Sequence, residues 1–243
     1  MIITSKSNPI IKDIIKLSDK KYRKEFGQYL VEGIKPVNEC IAAGFAVDKI
    51  VCIEKLSENF SGATVVSEEV FSAISSEKTP QGVLAVVKIP ENKLLPPKDS
   101  CILLDRLQDP GNIGTIIRTA NAAGYREIYL LNCTDPYSPK AVRASMSGIF
   151  FTKIMQGSEE QILKALKEVP LVSADMDGDN IFSFDAPEKF CLCIGNEGSG
   201  LSENIKFNSN YKVKIPMAES CESLNAAVSA GIAMYALKQR NFK

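Results

Sequence analysis

Strands and helices alternate through almost the whole chain when its hydrophobic and polar positions are followed in order. Apolar runs rich in β-branched residues predict short strands, and apolar residues recurring every three or four positions predict helices. In the first half the predicted strands are 29–31, 48–53, 63–66 and 82–89, and the predicted helices are 33–43 and 68–74. In the second half the strands are 101–107, 127–132, 171–174, 190–194 and 211–215, and the helices are 112–123, 140–146, 158–169, 201–205 and 224–239. Such alternation is typical of an α/β fold with a mainly parallel sheet.

A polar, proline-rich stretch divides the chain into two parts. Pro90, Pro96 and Pro97 lie among charged and amide residues, a composition typical of a linker. We therefore predict a small N-terminal α/β domain at residues 1–94 and a C-terminal α/β domain with a parallel sheet at residues 95–243. Ligands of parallel sheets bind in the loops beyond the carboxyl ends of the strands.

The start of the chain combines a helical apolar period with many lysines. Isoleucines and a leucine recur at helical spacing between residues 10 and 17, which predicts an amphipathic helix with a cationic outer face. Such a face is either an ordinary solvated surface or a contact for RNA phosphates. The candidate RNA-binding residues are Lys12, Lys20, Lys21, Arg23 and Lys24, together with Arg143 later in the chain.

Composition excludes several kinds of chemistry. The 243 residues include no histidine, which removes Ser-His-Asp triads, Cys-His pairs and histidine-ligated metals. The seven cysteines form no CxxC pair, so we predict no metal site. The sequence shows no targeting or membrane-spanning segment, and unpaired cysteines are typical of a reducing compartment, so we expect a cytoplasmic protein. Acidic and basic residues number 29 each, so any affinity for nucleic acid must come from a local concentration of positive charge.

The loop after the predicted strand 101–107 leads into a helix with a polar stripe. Asn112 is the predicted N-cap, and Gly114, Arg118 and Asn121 share one helix face. A glycine four residues before an arginine leaves room for a ligand beside the guanidinium. An exposed arginine on an ordinary helix is the alternative interpretation.

A glycine-rich loop follows the predicted strand 190–194. Gly195, Gly198 and Gly200 allow the backbone to approach a ligand closely. Their order, GxxGxG, differs from the dinucleotide fingerprint GxGxxG, and Leu201 occupies the place of the phosphate-binding lysine of a P-loop. The loop is therefore either a binding loop of another kind or a glycine-rich turn without a ligand.

The third loop lies between the last predicted strand and the last predicted helix. Pro216 prevents further ladder bonding after Ile215, and Ser223 is the predicted N-cap with Asn225 in the first turn. The helix is rich in small residues, which favours tight packing on the sheet. Ser223 and Asn225 therefore either face a ligand or serve only the start of this helix.

Taken together and in this order, the three loops resemble the three motifs of the SpoU, or TrmH-like, branch of the knotted RNA methyltransferases. The similarity covers residues 101–240. A softer similarity links Ser5–Lys12, Val31–Gly33 and Pro80–Gly82 to a ribosomal-protein-like domain that binds RNA substrate. The matching motif residues are Asn112-Ile-Gly with Arg118, Ile194-Gly-Asn-Glu197-Gly-Ser-Gly-Leu201, and Ile215-Pro-Met217 with Ser223-Leu-Asn225.

This resemblance implies an S-adenosylmethionine-dependent enzyme that methylates a ribose 2′-hydroxyl of RNA. Ribosomal RNA is favoured over transfer RNA as the substrate. The resemblance also implies a C-terminal trefoil knot, a homodimer formed through the C-terminal domain, and no membrane partner. The implied cofactor-binding residues are Ile194, Gly195, Asn196, Gly200, Ile215, Met217 and Leu224. The implied catalytic residues are Asn112, Arg118, Glu197, Ser223 and Asn225. A guanidinium has no lone pair to accept a proton, so we assign Arg118 to positioning and to stabilising a developing alkoxide.

Three other readings are compatible with parts of the pattern. A transfer RNA 2′-O-methyltransferase and a non-catalytic RNA-binding protein with the same fold share the motifs, although intact Arg118 and Glu197 argue against loss of activity. A Rossmann-type methyltransferase or dehydrogenase would need a glycine fingerprint after its first strand, where this chain reads Asp109-Pro-Gly-Asn-Ile-Gly114.

Overall fold

The computed structural model describes residues 2–221 and 223–238, which form two compact units. The first contains residues up to Glu91 together with Asp135–Phe150, and the second contains Asn92–Thr134 and the chain from Phe151 onward. The helices are α1 (Pro9–Lys16), α2 (Lys20–Phe26), α3 (Ile34–Ala42), α4 (Glu68–Ile74), α5 (Pro110–Ala122), α6 (Pro139–Ala144), α7 (Glu159–Ala165), α8 (Glu203–Asn208) and α9 (Ala226–Lys238). The strands are β1 (Gln28–Glu32), β2 (Val47–Ile53), β3 (Thr64–Val66), β4 (Val83–Lys88), β5 (Cys101–Asp105), β6 (Glu127–Leu131), β7 (Lys153–Gln156), β8 (Leu171–Asn180), β9 (Cys191–Ile194) and β10 (Tyr211–Lys214).

The first unit is built on a four-stranded sheet in the order β1-β4-β2-β3. Strand β4 runs antiparallel to both β1 and β2, whereas β2 and β3 are parallel. Apolar residues of α1 and α4, among them Ile11, Ile14 and Phe71, pack with Val51 and Leu84 of the sheet into one buried cluster. The predicted α/β character of this domain is confirmed, and its sheet is mixed.

The second unit is built on a six-stranded sheet in the order β10-β8-β9-β5-β6-β7, in which every pairing is parallel. All residues of β5, β6 and β9 are buried, as expected for strands covered on both faces. The predicted C-terminal α/β domain with a parallel sheet is therefore confirmed. Because the strands are parallel, the loops that follow β5, β8, β9 and β10 lie at the same edge of the sheet.

Several predicted element boundaries are wrong. The basic N-terminal segment forms two helices, because Asp19 caps a new helix at Lys20 by accepting a hydrogen bond from the Lys21 amide at 2.8 Å. Strand β7 was not predicted, and β8 runs to Asn180 rather than to residue 174. The last helix begins at Ala226 instead of Leu224, and its predicted end at Gln239 lies outside the described residues.

One boundary between the two compact units lies close to the predicted linker, but the units do not divide the chain at a single point. The first boundary falls after Glu91, and residues 135–150, which include α6, group with the first unit. The functional division into domains at residues 1–94 and 95–243 stays a prediction. Among the helices of the described ranges, none is long and apolar enough to cross a bilayer.

Candidate active site

A cavity of about 440 Å³ opens at the carboxyl edge of the parallel sheet. Its walls are formed by residues 174–176 within β8 and by the loops after β9 and β10, and the start of α9 closes it. Each residue for which the sequence predicts a cofactor contact lies in its lining, namely Ile194, Gly195, Asn196, Gly200, Ile215, Met217 and Leu224. Two of the predicted catalytic residues, Glu197 and Ser223, lie there too.

The loop after β9 folds back on itself across the cavity. Asn196 and Gly200 exchange backbone hydrogen bonds of 3.0 and 2.9 Å, and the Asn196 side-chain oxygen accepts from the amides of Gly198 and Ser199. A Cβ atom on Gly195 would lie 2.3 Å from the backbone of Gly200 and Leu201. Only glycine fits at position 195, because that space is filled by the backbone of the returning loop.

Two residues at the end of β5 hold this loop in place through hydrogen bonds. The fully buried Asp105 accepts a hydrogen bond of 2.6 Å from the Ser202 amide. Arg106 has a left-handed backbone conformation with φ 60°. Its guanidinium donates to the Gly200 carbonyl at 3.2 Å, and its backbone carbonyl accepts from the Asn196 side-chain amide at 3.1 Å. Asp105 and Arg106 therefore hold both ends of the glycine-rich loop.

Sequence reasoning missed Asp105 and Arg106, although one signal for Asp105 was visible. Cys101–Leu104 is an apolar strand, and an acidic residue at its end is buried only when it has partners. The second oxygen of Asp105 has no hydrogen-bond partner in the described structure and lies 3.5 Å from Arg106 Nε, in an ion pair. The buried Ser202 hydroxyl is also without a partner among the described residues, so three unsatisfied polar atoms cluster at this anchor.

Three of the predicted catalytic residues form one hydrogen-bonded chain. The Asn112 side-chain amide donates to Glu197, and the Asn225 side-chain amide donates to the Asn112 oxygen at 3.1 Å. These residues come from the first turn of α5, the loop after β9 and the start of α9. The fold thus joins three loops that lie 85 and 113 residues apart in sequence.

Both predicted N-caps in these loops are wrong. Asp109 caps α5 by accepting from the Gly111 amide at 2.8 Å, and Pro110 occupies the first helical position, which leaves Asn112 within the helix. Asn225 rather than Ser223 caps α9, because its side-chain oxygen accepts from the amides of Ala227 and Val228 at 2.9 and 3.3 Å. Both asparagine amides are therefore free to build the chain to Glu197.

The remaining two predicted catalytic residues stand apart from this chain of hydrogen bonds. Arg118 lies on the exposed side of α5, and the described residues offer its side chain no hydrogen bond or ion pair. Gly114 of the predicted stripe is buried, and Asn121 accepts from Arg126. Ser223 is exposed beside the cavity. Arg118 is thus a cation available to a bound partner.

The cavity also contains residues that sequence reasoning did not select. Asp175 and Met176 come from the continuation of β8 beyond its predicted end, and Lys206 comes from α8. None belongs to a glycine-rich or capping pattern, so no local signal marked them. Asp175 and Lys206 add one charge of each sign to a lining that already contains Glu197 and Lys214.

The predicted RNA-binding residues divide into exposed and buried groups. Lys12, Lys20, Lys21 and Lys24 are exposed on α1 and α2. Arg23 is only 3% exposed, and its guanidinium donates to Asp135 at 2.7 and 2.8 Å and to the carbonyls of residues 17 and 18. Arg23 is therefore a structural residue of the first unit, and we withdraw it from the RNA contacts. Arg143 is half-exposed and pairs with Glu77 at 2.6 Å.

Two family models match the chain. The SpoU rRNA Methylase family model matches residues 99–235, and the MRM3-like substrate binding domain matches residues 8–85. The first match spans more than half of the 243 residues and contains the cavity and the chain of hydrogen bonds. The chain belongs to the SpoU rRNA methylase family. The predicted resemblance is confirmed.

Relatives of known name cover nearly the whole chain. The 23S rRNA (guanosine(2553)-2′-O)-methyltransferase RlmP of Bacillus subtilis is 31% identical over 97% of this chain and 98% of its own length. The 23S rRNA (uridine(2479)-2′-O)-methyltransferase of Streptomyces viridochromogenes is 32% identical over 92% of this chain and 87% of its own. The structure of an AdoMet-bound rRNA methyltransferase from Sinorhizobium meliloti matches with a TM-score of 0.92 and 31% identity, covering 100% of this chain and 99% of that one.

Proposed function

We propose that this SpoU family member transfers a methyl group from S-adenosylmethionine to a ribose 2′-hydroxyl of ribosomal RNA. The observation that carries the proposal is the cavity at the carboxyl edge of the sheet, whose lining brings together the residues of two separate sequence motifs. Beside it, the chain of hydrogen bonds from Glu197 to Asn225 presents polar groups to a second substrate.

The cavity fits S-adenosylmethionine by its shape and by its donor set. Ile194, Leu201 and Val213 supply apolar walls suited to a purine base, and the loop at Gly195 offers backbone groups at close range. The carboxylates of Asp175 and Glu197 supply negative charge for the cationic parts of such a ligand. When bound, the sulfonium supplies an already activated methyl group, which suits a protein without histidine.

Arg118 is the residue to which we assign stabilisation of the ribose oxygen. Its guanidinium remains cationic at any ordinary pH, so it favours negative charge that develops on the oxygen as the hydroxyl loses its proton. Its exposure and its lack of a partner among the described residues leave its donors available to RNA. Alignment of the ribose oxygen with the methyl carbon is the other part of the barrier reduction.

Asn112, Glu197 and Asn225 are assigned to holding the ribose in place. The Glu197 carboxylate accepts from Asn112, and Asn225 fixes Asn112 while its own oxygen caps α9. Each group is thereby held in one orientation before the substrate arrives, which is the condition for effective alignment. The exposed Ser223 hydroxyl completes the set.

The substrate and the cellular setting are further parts of the proposal. Ribosomal RNA is favoured over transfer RNA because the full-length relatives named above are 23S rRNA enzymes. The lysines of α1 and α2 are candidate phosphate contacts. A trefoil knot, a cytoplasmic location and a homodimer through α9 also belong to the proposal. The seven free cysteines support the cytoplasm, and exposed Val228 and Tyr235 support the dimer.

The proposal is tested by methyl transfer from labelled S-adenosylmethionine to total RNA from cells that lack the protein. We expect the label in one ribosomal RNA, at a 2′-O-methylated nucleotide found by mapping, and its loss with Arg118→Ala. Arg126→Ala is the matched control, since Arg126 is an exposed arginine of the same unit outside the site. Label in transfer RNA would replace the substrate assignment. Cofactor binding without transfer to any RNA or ribosomal particle would favour the non-catalytic RNA-binding protein.

The role of Arg118 has its own test in the conservative variant Arg118→Lys. A lysine keeps the positive charge but loses the planar fork of donors. We expect turnover to fall by at least about tenfold while cofactor affinity stays unchanged, since Arg118 does not line the cavity. Near-normal turnover of Arg118→Lys would refute the need for a planar fork.

A further inference from the structure

A second cavity, of about 370 Å³, lies within the first compact unit. Its walls come from the end of β1, the start of α3, residues 74–84 and the segment 139–147. Most of the lining is apolar, with Leu30, Ile74, Leu84 and Val142 among its residues. It is separate from the cofactor cavity, with which it shares no lining residue.

Side-chain hydrogen bonds hold the walls of this cavity together. The Glu32 carboxylate accepts from the Ser76 amide at 3.1 Å and from the Ser75 hydroxyl. Gln81 accepts from the Ile34 amide at 2.9 Å, which caps α3 where Gly33, at φ 106°, has no side chain to do so. These bonds join β1, α3 and residues 75–81, so the cavity keeps its shape before a ligand arrives.

Polar groups at the edge of the cavity remain available to a ligand. The side-chain amide nitrogen of Gln81 and the hydroxyl of Thr79 have no hydrogen-bond partner within the described ranges. The Arg143 guanidinium uses one nitrogen on Glu77, which leaves further donors. Lys35, whose side chain is 80% exposed, also lies in the lining and pairs with Glu39 at 3.8 Å. Apolar walls with donors along one edge match a nucleobase, whose faces are apolar and whose edge carries acceptors.

The turn after α6 contributes an unusual backbone to the same cavity. Met146 and Ser147 both have positive φ values, 44° and 67°, which residues other than glycine rarely adopt. Such conformations cluster at ligand-binding positions. The Met146 side chain is 58% exposed and lies in the lining, where its thioether can cover a flat ring.

We propose that this cavity holds one unstacked nucleobase of the RNA substrate. The inference rests on the proposed function, since it takes RNA as the substrate, and on the match of residues 8–85 to a substrate-binding domain. Sequence-specific recognition of RNA relies on bases splayed out of single strands and packed between apolar surfaces. One such base would anchor the RNA through the first unit by a contact independent of the cofactor loops.

The chain contains no tryptophan, so a single introduced indole reports on this cavity alone. We would place the reporter at the cavity edge as Met146→Trp, with Thr79→Trp as a second reporter and Ser72→Trp, exposed on α4 outside the lining, as control. The probe is a short single-stranded RNA of mixed sequence. We expect fluorescence quenching at 146 and 79 but not at 72, with competition by nucleoside 5′-monophosphates and none by ribose 5-phosphate.

A blocking variant connects the cavity to substrate binding. Val142→Phe fills the cavity from its buried wall, and we expect it to abolish the quenching and to raise the KM for ribosomal RNA by about tenfold. Arg143→Gln, which removes donors without adding volume, should raise the same KM. Circular dichroism spectra and thermal melting curves that match those of the unaltered chain establish that both variants fold, and Ser72→Phe should leave the KM unaltered.

The outcomes separate this inference from the proposed function. Equal competition by ribose 5-phosphate would identify a phosphate site and overturn the nucleobase assignment. Absence of quenching at both reporters, with methyl transfer to ribosomal RNA intact, would overturn the inference and leave the proposed function standing. Specific quenching without methyl transfer to any RNA would overturn the proposed function alone.

Discussion

Replacing Asp105 by asparagine keeps the shape of the side chain and removes its charge. In the native protein one carboxylate oxygen accepts from the Ser202 amide at 2.6 Å, and the other lies 3.5 Å from Arg106 Nε. An asparagine can offer an oxygen to only one of these donors, so its own amide must face the other. The change therefore creates a buried contact between two donors at the anchor of the glycine-rich loop.

The expected cost follows from the kind of hydrogen bond that is lost. Hydrogen bonds to charged groups contribute about 1.5–3 kcal/mol, so Asp105→Asn should cost about 2 kcal/mol. Because the bond holds the loop that forms a cavity wall, we expect much of this loss in cofactor affinity. A full transfer of 2 kcal/mol would weaken binding by about 30-fold. If the loss fell on the fold instead, the melting temperature would decrease by about 4–8 °C.

Two measurements distinguish a loss of cofactor affinity from a loss of folding stability. Titration calorimetry gives the dissociation constant of S-adenosylmethionine, and scanning calorimetry gives the melting temperature of the free protein. Ser202→Ala is the control, because it keeps the backbone amide and removes a buried hydroxyl that has no partner among the described residues. An unchanged dissociation constant in Asp105→Asn, together with a lowered melting temperature, would refute the claim that Asp105 positions the cofactor loop.

Three further predictions concern single features. Gly195→Ala should abolish cofactor binding, as measured by calorimetry, because its Cβ would meet backbone at 2.3 Å, and Gly198→Ala, where the nearest atom is a side-chain oxygen at 3.6 Å, should bind almost normally. Cys221 is exposed, and its thiol donates to the carbonyl of Ser223, which lines the cavity. It should be alkylated quickly, with protection by S-adenosylmethionine, whereas Cys133, whose pKa burial raises to about 12, should stay unreacted in peptide mapping. The four candidate RNA-binding lysines of α1 and α2 are Lys12, Lys20, Lys21 and Lys24. Replacing all four by glutamine should weaken RNA binding and flatten the dependence of affinity on salt concentration, whereas an unchanged salt dependence would remove them from the interface.

The parallel sheet could be predicted because its strands are short, fully apolar runs separated by helices. Strand β7, Lys153–Gln156, escaped prediction because two of its four residues are exposed and polar at the edge of the sheet. The same limit applied to β8, whose second half is rich in aspartate and is held by pairing with β10 rather than by burial. Edge strands, and strand segments that pair on one side only, depend on tertiary partners, which local sequence does not reveal.

The structure brings several predicted site residues together, but the local geometry of their loops differs from the prediction. Asn112 and Asn225 join Glu197 in one chain of hydrogen bonds, yet the predicted cap lay three residues too late in the first loop and two residues too early in the third. Asp109 and Asn225 are both good capping residues, and each was passed over for another good one nearby. Arg23 shows the complementary error, since a cation in a basic segment was read as exposed when it is buried against Asp135.

The chain of hydrogen bonds has a consequence for how binding and folding are coupled. Asn112, Glu197 and Asn225 are 85 and 113 residues apart, so their contacts exist only when β5, β9 and α9 are assembled on the same sheet. The cofactor cavity depends on that assembly as well, because its walls come from β8, from the loops after β9 and β10 and from α9. A ligand that binds only the assembled state stabilises it in proportion to its concentration. Cofactor binding should therefore raise the stability of the whole sheet edge, and mutations at the Asp105 anchor should reduce that gain even where they leave the unbound fold intact.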